Sequence, residues 1–271
     1  DAATGTNNAS YALSNNCGVT QITGSTTIRA KDGQIAFDAC WAPNKGYPEG
    51  AQVTLNTTGK IVGDIEFDLW GDNVGTTCLT TLNILNCDMT GSFLTTSLTE
   101  AAKTNLVISG GTFSADPTAY LAKNCVAAKK AENTWTVFEP AAAINTTNYA
   151  TLADAVAAAK SGDTVKLLKD VTDGTGIIVD GTDGRNFVID FNSHTYTVSQ
   201  APLAGSSGTE NQCFQLLKGS TITMKNGAIT ANNSKIKMIV QNYCNLTLEN
   251  MTIDAATGTN NASYALSNNC G

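Results

Sequence analysis

DAATGTNNASYALSNNCG occupies residues 254–271, and the same eighteen residues occupy 1–18 without a difference. Just before the second copy, Ile239-Val240-Gln241-Asn242-Tyr243-Cys244-Asn245-Leu246 aligns with Ala265-Leu266-Ser267-Asn268-Asn269-Cys270-Gly271. Ala12-Leu13-Ser14-Asn15-Asn16-Cys17-Gly18-Val19 continues that line, and Ile35-Ala36-Phe37-Asp38-Ala39-Cys40 follows one residue shorter. Leu216-Leu217-Lys218-Gly219-Ser220-Thr221-Ile222 precedes it, with Ser220 in the cysteine slot. The steps are 26 residues from Cys244 to Cys270 and 23 from Cys17 to Cys40. Steps of that length, each holding about three short strands, suit one turn of a parallel β-helix, whose layers stack roughly 4.8 Å apart. The ladder therefore predicts an all-β solenoid.

The offset between the two copies is 253 residues. Such an identity fits a chain slightly longer than one period of a repeat array, or an engineered permutant with a duplicated end. Composition agrees with many short strands joined by tight turns: 14% of residues are charged and 7% aromatic, and Thr, Asn, Ala and Gly are abundant. A net charge of −7 argues against nucleic acid or an anionic membrane as partner. No run of eighteen apolar residues is present, so no membrane insertion is expected.

Short alternating runs fill the first half, among them Tyr11–Leu13, Val19–Ile22, Ile35–Phe37, Val53–Leu55, Lys60–Val62, Ile65–Leu69 and Leu82–Leu85. Residues 115–140 then close on Trp135–Phe138 and a proline, and AAAINTTNYA (141–150) begins afresh. A helix is expected near 151–160. Thr151 and Asp154 supply a T-x-x-D cap, Leu152, Ala155, Val156 and Ala159 an apolar face, and Gly162 a stop. Two parts are thus expected, 1–140 with a closing segment at 111–139, and 141–271 opening with the capping helix.

YATLADAVAAAKSGDTVKLLKDV (149–171), FVIDFNSHTYTV (187–198), LTLENMTI (246–253) and the segment 108–140 resemble stretches of large bacterial cell-surface, adhesin-like proteins of gut anaerobes. That resemblance implies a right-handed parallel β-helix, with 149–171 opening a repeat and 108–140 closing one. Because the closing segment comes first here, it also implies that the chain holds the second part of one repeat and the first part of the next. It says little about activity.

The residues offer little chemistry. Eight cysteines and one histidine lack paired zinc-site spacing. Cys17, Cys40, Cys244 and Cys270 read as a structural ladder, either as inward small hydrophobes or as disulfides stapling neighbouring layers, with Cys78 and Cys87 a separate pair. Asp64, Glu66 and Asp68 alternate with Ile65, Phe67 and Leu69, which reads as a solubilising face rather than a catalytic or calcium-binding one. Asp180-Gly181-Thr182-Asp183-Gly184-Arg185 reads as a turn. His194 reads as a turn residue without a triad. No catalytic, cofactor or metal site is expected. The function predicted is a structural repeat of an extracellular fibre, stalk or adhesin shaft at the cell surface, not an enzyme. Its partners would be identical neighbouring repeats or copies stacked end to end. The alternative is a β-helix that binds or cleaves host or surface glycans.

Overall fold

The structure is a computed structural model and describes residues 9–69, 78–181 and 184–269. It is mostly β, with 51% of residues in strands and 7% in helices, arranged in several parallel sheets and no closed barrel. The chain divides into two compact units, Asp1–Glu139 and Pro140–Gly271, each with its own buried apolar cluster.

In the first unit one sheet runs in the order Val126–Ala131, Thr134–Phe138, Gly111–Phe113, Thr81–Thr90, Ala51–Val62, Gly18–Gly24. Its first three strands pair antiparallel and the rest parallel. The second sheet is parallel throughout: Tyr11–Leu13, Ile35–Asp38, Asp64–Glu66, Phe93–Leu94. In the second unit, Thr147–Tyr149 and Ala142–Ile144 pair antiparallel ahead of Thr164–Leu167. Parallel partners follow at Asn186–Asp190, Thr221–Ala231 and Asn245–Ile253. Its other sheet is parallel: Ile177–Val179, Gln212–Leu216, Met238–Asn242, Tyr264–Asn268.

Period-two burial explains why these residues form strands. In Ala51–Val62 the side chains of Ala51, Val53, Leu55 and Ile61 are buried, and Gln52, Asn56 and Lys60 are exposed. The sequence suggests two short strands here; the structure joins them into one. Thr57 keeps the alternation going, buried because its hydroxyl donates to the carbonyls of Gly24 at 3.1 Å and Thr26 at 2.8 Å. The strand Ala51–Val62 ends where Gly63 takes φ +117, and the strand Thr81–Thr90 ends at Gly91 with φ +144. A Cβ on Gly91 would run into the Gly63 carbonyl, so the stacked corner tolerates only glycine.

The expected helix spans Leu152–Ala158, with Thr151 accepting from the Asp154 amide and Leu152, Ala155 and Val156 buried. It stops before Lys160 and Gly162 because Ala159 is already extended (ψ 141). Arg185, expected only as part of a turn, closes that end. Its guanidinium Nη1 donates to the carbonyls of Val156 (3.3 Å), Ala157 (3.4 Å) and Ala159 (3.3 Å), supplying positive charge where the helix dipole is negative. Nη2 meets Asp180 Oδ1 at 3.3 Å, so Asp180 is held by Arg185. Asp183 lies outside the described residues. A second helix, Glu100–Lys103, has no counterpart in the sequence pattern; four residues are too few to show a period, and only Thr99 as its cap gives it away. No described helix is long and apolar enough to cross a membrane.

Each unit is closed at one side by antiparallel strands and, among the described residues, open at the other. Among the described residues, Tyr11–Leu13 and Gly18–Gly24 each pair on one side only. So do Tyr264–Asn268 and Asn245–Ile253 in the second unit.

Candidate functional site

The open edges carry the duplicated stretch. In the second unit the register Met238↔Tyr264, Val240↔Leu266, Asn242↔Asn268 sets the later copy on its preceding layer. In the first unit the register Tyr11↔Ile35, Leu13↔Phe37 sets the earlier copy on its following layer. Tyr11 and Tyr264 are the same position of the repeat, as are Leu13 and Leu266. One sequence thus forms the same strand with its neighbour on opposite sides.

Polar contacts divide the same way. In the first unit the Tyr11 hydroxyl donates to Glu66 Oε2 at 2.9 Å and the Ser14 hydroxyl to Asp38 Oδ2 at 2.9 Å. The Asn15 backbone amide donates to Asp38 Oδ1, and Asn15 Nδ2 donates to the Asp38 carbonyl at 2.8 Å. Asn15 Oδ1 accepts from Thr20 Oγ1 at 2.8 Å; in the second unit the oxygen of Asn268, the equivalent of Asn15, accepts from Asn242 Nδ2 at 2.7 Å. An amide side chain has separate donor and acceptor ends, so one asparagine can serve both layers.

Asp38, Cys40 and Glu66 also place their oxygens and sulfur within 4.8 Å of one another, close enough to share a cation. Their chemistry favours a hydrogen-bonded clamp. Burial pushes the Cys40 thiol up, reinforced by the charges of Glu66 and Asp38. Cys40 Sγ lies 3.6 Å from Glu66 Oε2. Burial raises Asp38 too, against the lowering effect of the bonds from Asn15 and Ser14. A raised carboxyl beside a second carboxylate is the raw material of acid catalysis. Asp38, however, is 0% exposed.

The three alternating acids do not form the solubilising face expected of them. Asp64 accepts from the Ser92 amide at 2.8 Å, and Glu66 is half-buried under Tyr11. Asp68 is 6% exposed and holds the Leu69 and Ser97 amides at 2.8 and 3.0 Å. Short strands with a layer on each side leave outward acids facing loop amides rather than water.

The four ladder cysteines separate. Cys40 and Cys244 are buried and Cys17 is exposed; Cys270 lies outside the described residues. Cys17 departs from the inward reading because the chain bends at Asn16–Cys17 and Gly18 takes φ +79, leaving the inward position to Asn15. Cys78 and Cys87, the separate pair, are not joined in a disulfide. His194 sits in a turn, with Nδ1 3.3 Å from Asp170 Oδ1. Of the tryptophans, Trp41 donates to the Pro48 carbonyl at 2.9 Å and Trp135 stacks under Lys129 at 5.1 Å; Trp70 lies outside the described residues.

Sequence reasoning locates the duplicated strand but misses Asp38 and Glu66 as its anchors. The signal available is the Tyr-x-x-Ser-Asn order of donors in the repeat, which needs acceptors one and two strands on. A scan against protein-family models and searches of curated proteins and of solved structures found no match to this chain.

Proposed function

We propose that the chain is a non-catalytic structural repeat of an extracellular fibre, stalk or adhesin shaft, wound as a right-handed parallel β-helix. The observation that carries this reading is the duplicated stretch. It lies at an open parallel edge in each unit, with its neighbour 26 residues before it in one (Met238↔Tyr264) and 24 after it in the other (Tyr11↔Ile35). Near-constant steps between parallel partners are what a solenoid requires. Handedness and cell-surface location rest on the resemblance of 149–171 and 108–140 to bacterial surface proteins. In this role each layer satisfies its backbone on the next, and length grows by adding layers of about 4.8 Å.

Tandem genes carrying one, two and three periods of 253 residues test the shaft directly by electron microscopy. Rods whose length rises by a constant increment per period are expected. Separate globules joined by flexible links would contradict it.

A further inference from the structure

We propose that the two open edges are the halves of one junction, and that copies of this chain associate head to tail by exchanging the duplicated stretch. Residues 254–271 of one copy take the place of residues 1–18 on the Ile35–Asp38 layer of the next. The inference rests on the layered shaft reading and adds its partner, a second copy of this chain.

Both sides of the junction are already on view. Tyr264, Ser267 and Asn268 are the same repeat positions as Tyr11, Ser14 and Asn15. Placed on the next copy, they meet Glu66 and Asp38 as the earlier copy does, through the bonds Tyr11–Glu66, Ser14–Asp38 and Asn15–Asp38. Asn268 keeps its oxygen on Asn242 and turns its amide nitrogen to the Asp38 carbonyl. No contact inside either unit needs to be redesigned, because the incoming strand is chemically identical to the one it replaces. That is the condition under which strand exchange between copies is cheap.

The exchange adds something the separate chain lacks. Asn245–Ile253 and Gly18–Gly24 are each unpaired on one side among the described residues. In the repeat, Gly18 holds the position 26 residues after Asn245, so strand Gly18–Gly24 falls next to Asn245–Ile253. The junction brings these two strands edge to edge as a new parallel pair. Exposed apolar side chains gather at these edges: Tyr264 is 55% exposed, Leu266 40%, Leu248 38% and Val19 72%. Unpaired edges with exposed apolar residues are templates for another chain.

The test uses the full chain in mass photometry after incubation across a wide concentration range. Head-to-tail oligomers that lengthen with concentration are expected. The variant Tyr264→Phe/Ser267→Ala/Asn268→Asp keeps the Asn242 contact through a carboxylate oxygen. It removes three donors and brings a charge to Asp38, weakening association at least about tenfold. Its melting temperature should match the parent, which separates lost docking from lost folding. A synthetic peptide of residues 1–18 in excess should shorten the oligomers by competing for the slot. Monomers at every concentration, or oligomers indifferent to both the variant and the peptide, would overturn the junction. If the tandem genes still give rods, the shaft reading survives that failure.

Discussion

The same eighteen residues occur in two settings, and their burial differs because their neighbours differ. Tyr11 is half-buried with its hydroxyl on Glu66, while Tyr264 is 55% exposed. Leu13 packs against the core of the first unit, while Leu266 is 40% exposed. Strand formation is therefore encoded within the stretch, but burial is conferred by the layer beside it. A residue in such a ladder is a core residue only when both adjacent layers are present.

The largest difference between the two settings lies in the core. Phe37, 0% exposed and paired with Leu13, should cost about 3–5 kcal/mol when replaced by alanine. Leu266→Ala, on the open edge, should stay within about 0.5 kcal/mol. Chemical denaturation of both variants measures the contrast; equal losses would mean that the later copy is as buried as the earlier one.

Alkaline titration comes next, and both units should respond alike. Burial raises Cys87 in the first unit and Cys213 in the second to about 12 from an ordinary 9.0. Above pH 9 the unfolded chain releases these protons while the folded chain keeps them, so stability falls as pH rises and the loss is complete near pH 12. Melting curves between pH 8 and pH 11 should shift steadily downward, and Cys213→Ala should make the decline shallower. A flat profile would place these thiols in water.

A smaller effect separates the two tyrosines. Tyr11→Phe removes a hydroxyl bonded to a carboxylate and should cost about 1–2 kcal/mol. Tyr264→Phe in dilute solution should cost nothing measurable. Equal costs would show that Tyr264 already has a partner of the kind Glu66 provides.

How much of this is legible in the sequence depends on the range of each signal. Alternation is local, so strands such as Ile35–Asp38 and Thr164–Leu167 and the cap of the helix Leu152–Ala158 can be read directly. Repeat alignment is long-range but written in letters, so the register Val240↔Leu266 is visible as well. Where a side chain points after a bend is not written in the period. Cys17 looks like a ladder residue, yet the bend at Asn16–Cys17 puts it in solvent. Nor do acids announce their partners: Asp68 looks outward until loop residues Thr96 and Ser97 are brought to it from the next layer. Arg185 reaches the carbonyls closing the helix Leu152–Ala158 from well along the chain, a contact made by stacking that no local pattern encodes.

The measurement that bears most directly on the two-sided role of the repeat is hydrogen exchange of both copies as concentration rises. Peptides extending to Met251 on one side and to Val19 on the other tell the copies apart despite their shared sequence. Exchange of the stretch between chains predicts opposite changes: amides of Tyr264–Asn268 slow down as the strand gains a second neighbour, while those of Tyr11–Leu13 speed up as that strand is displaced. Both copies slowing together, or neither changing, would contradict it.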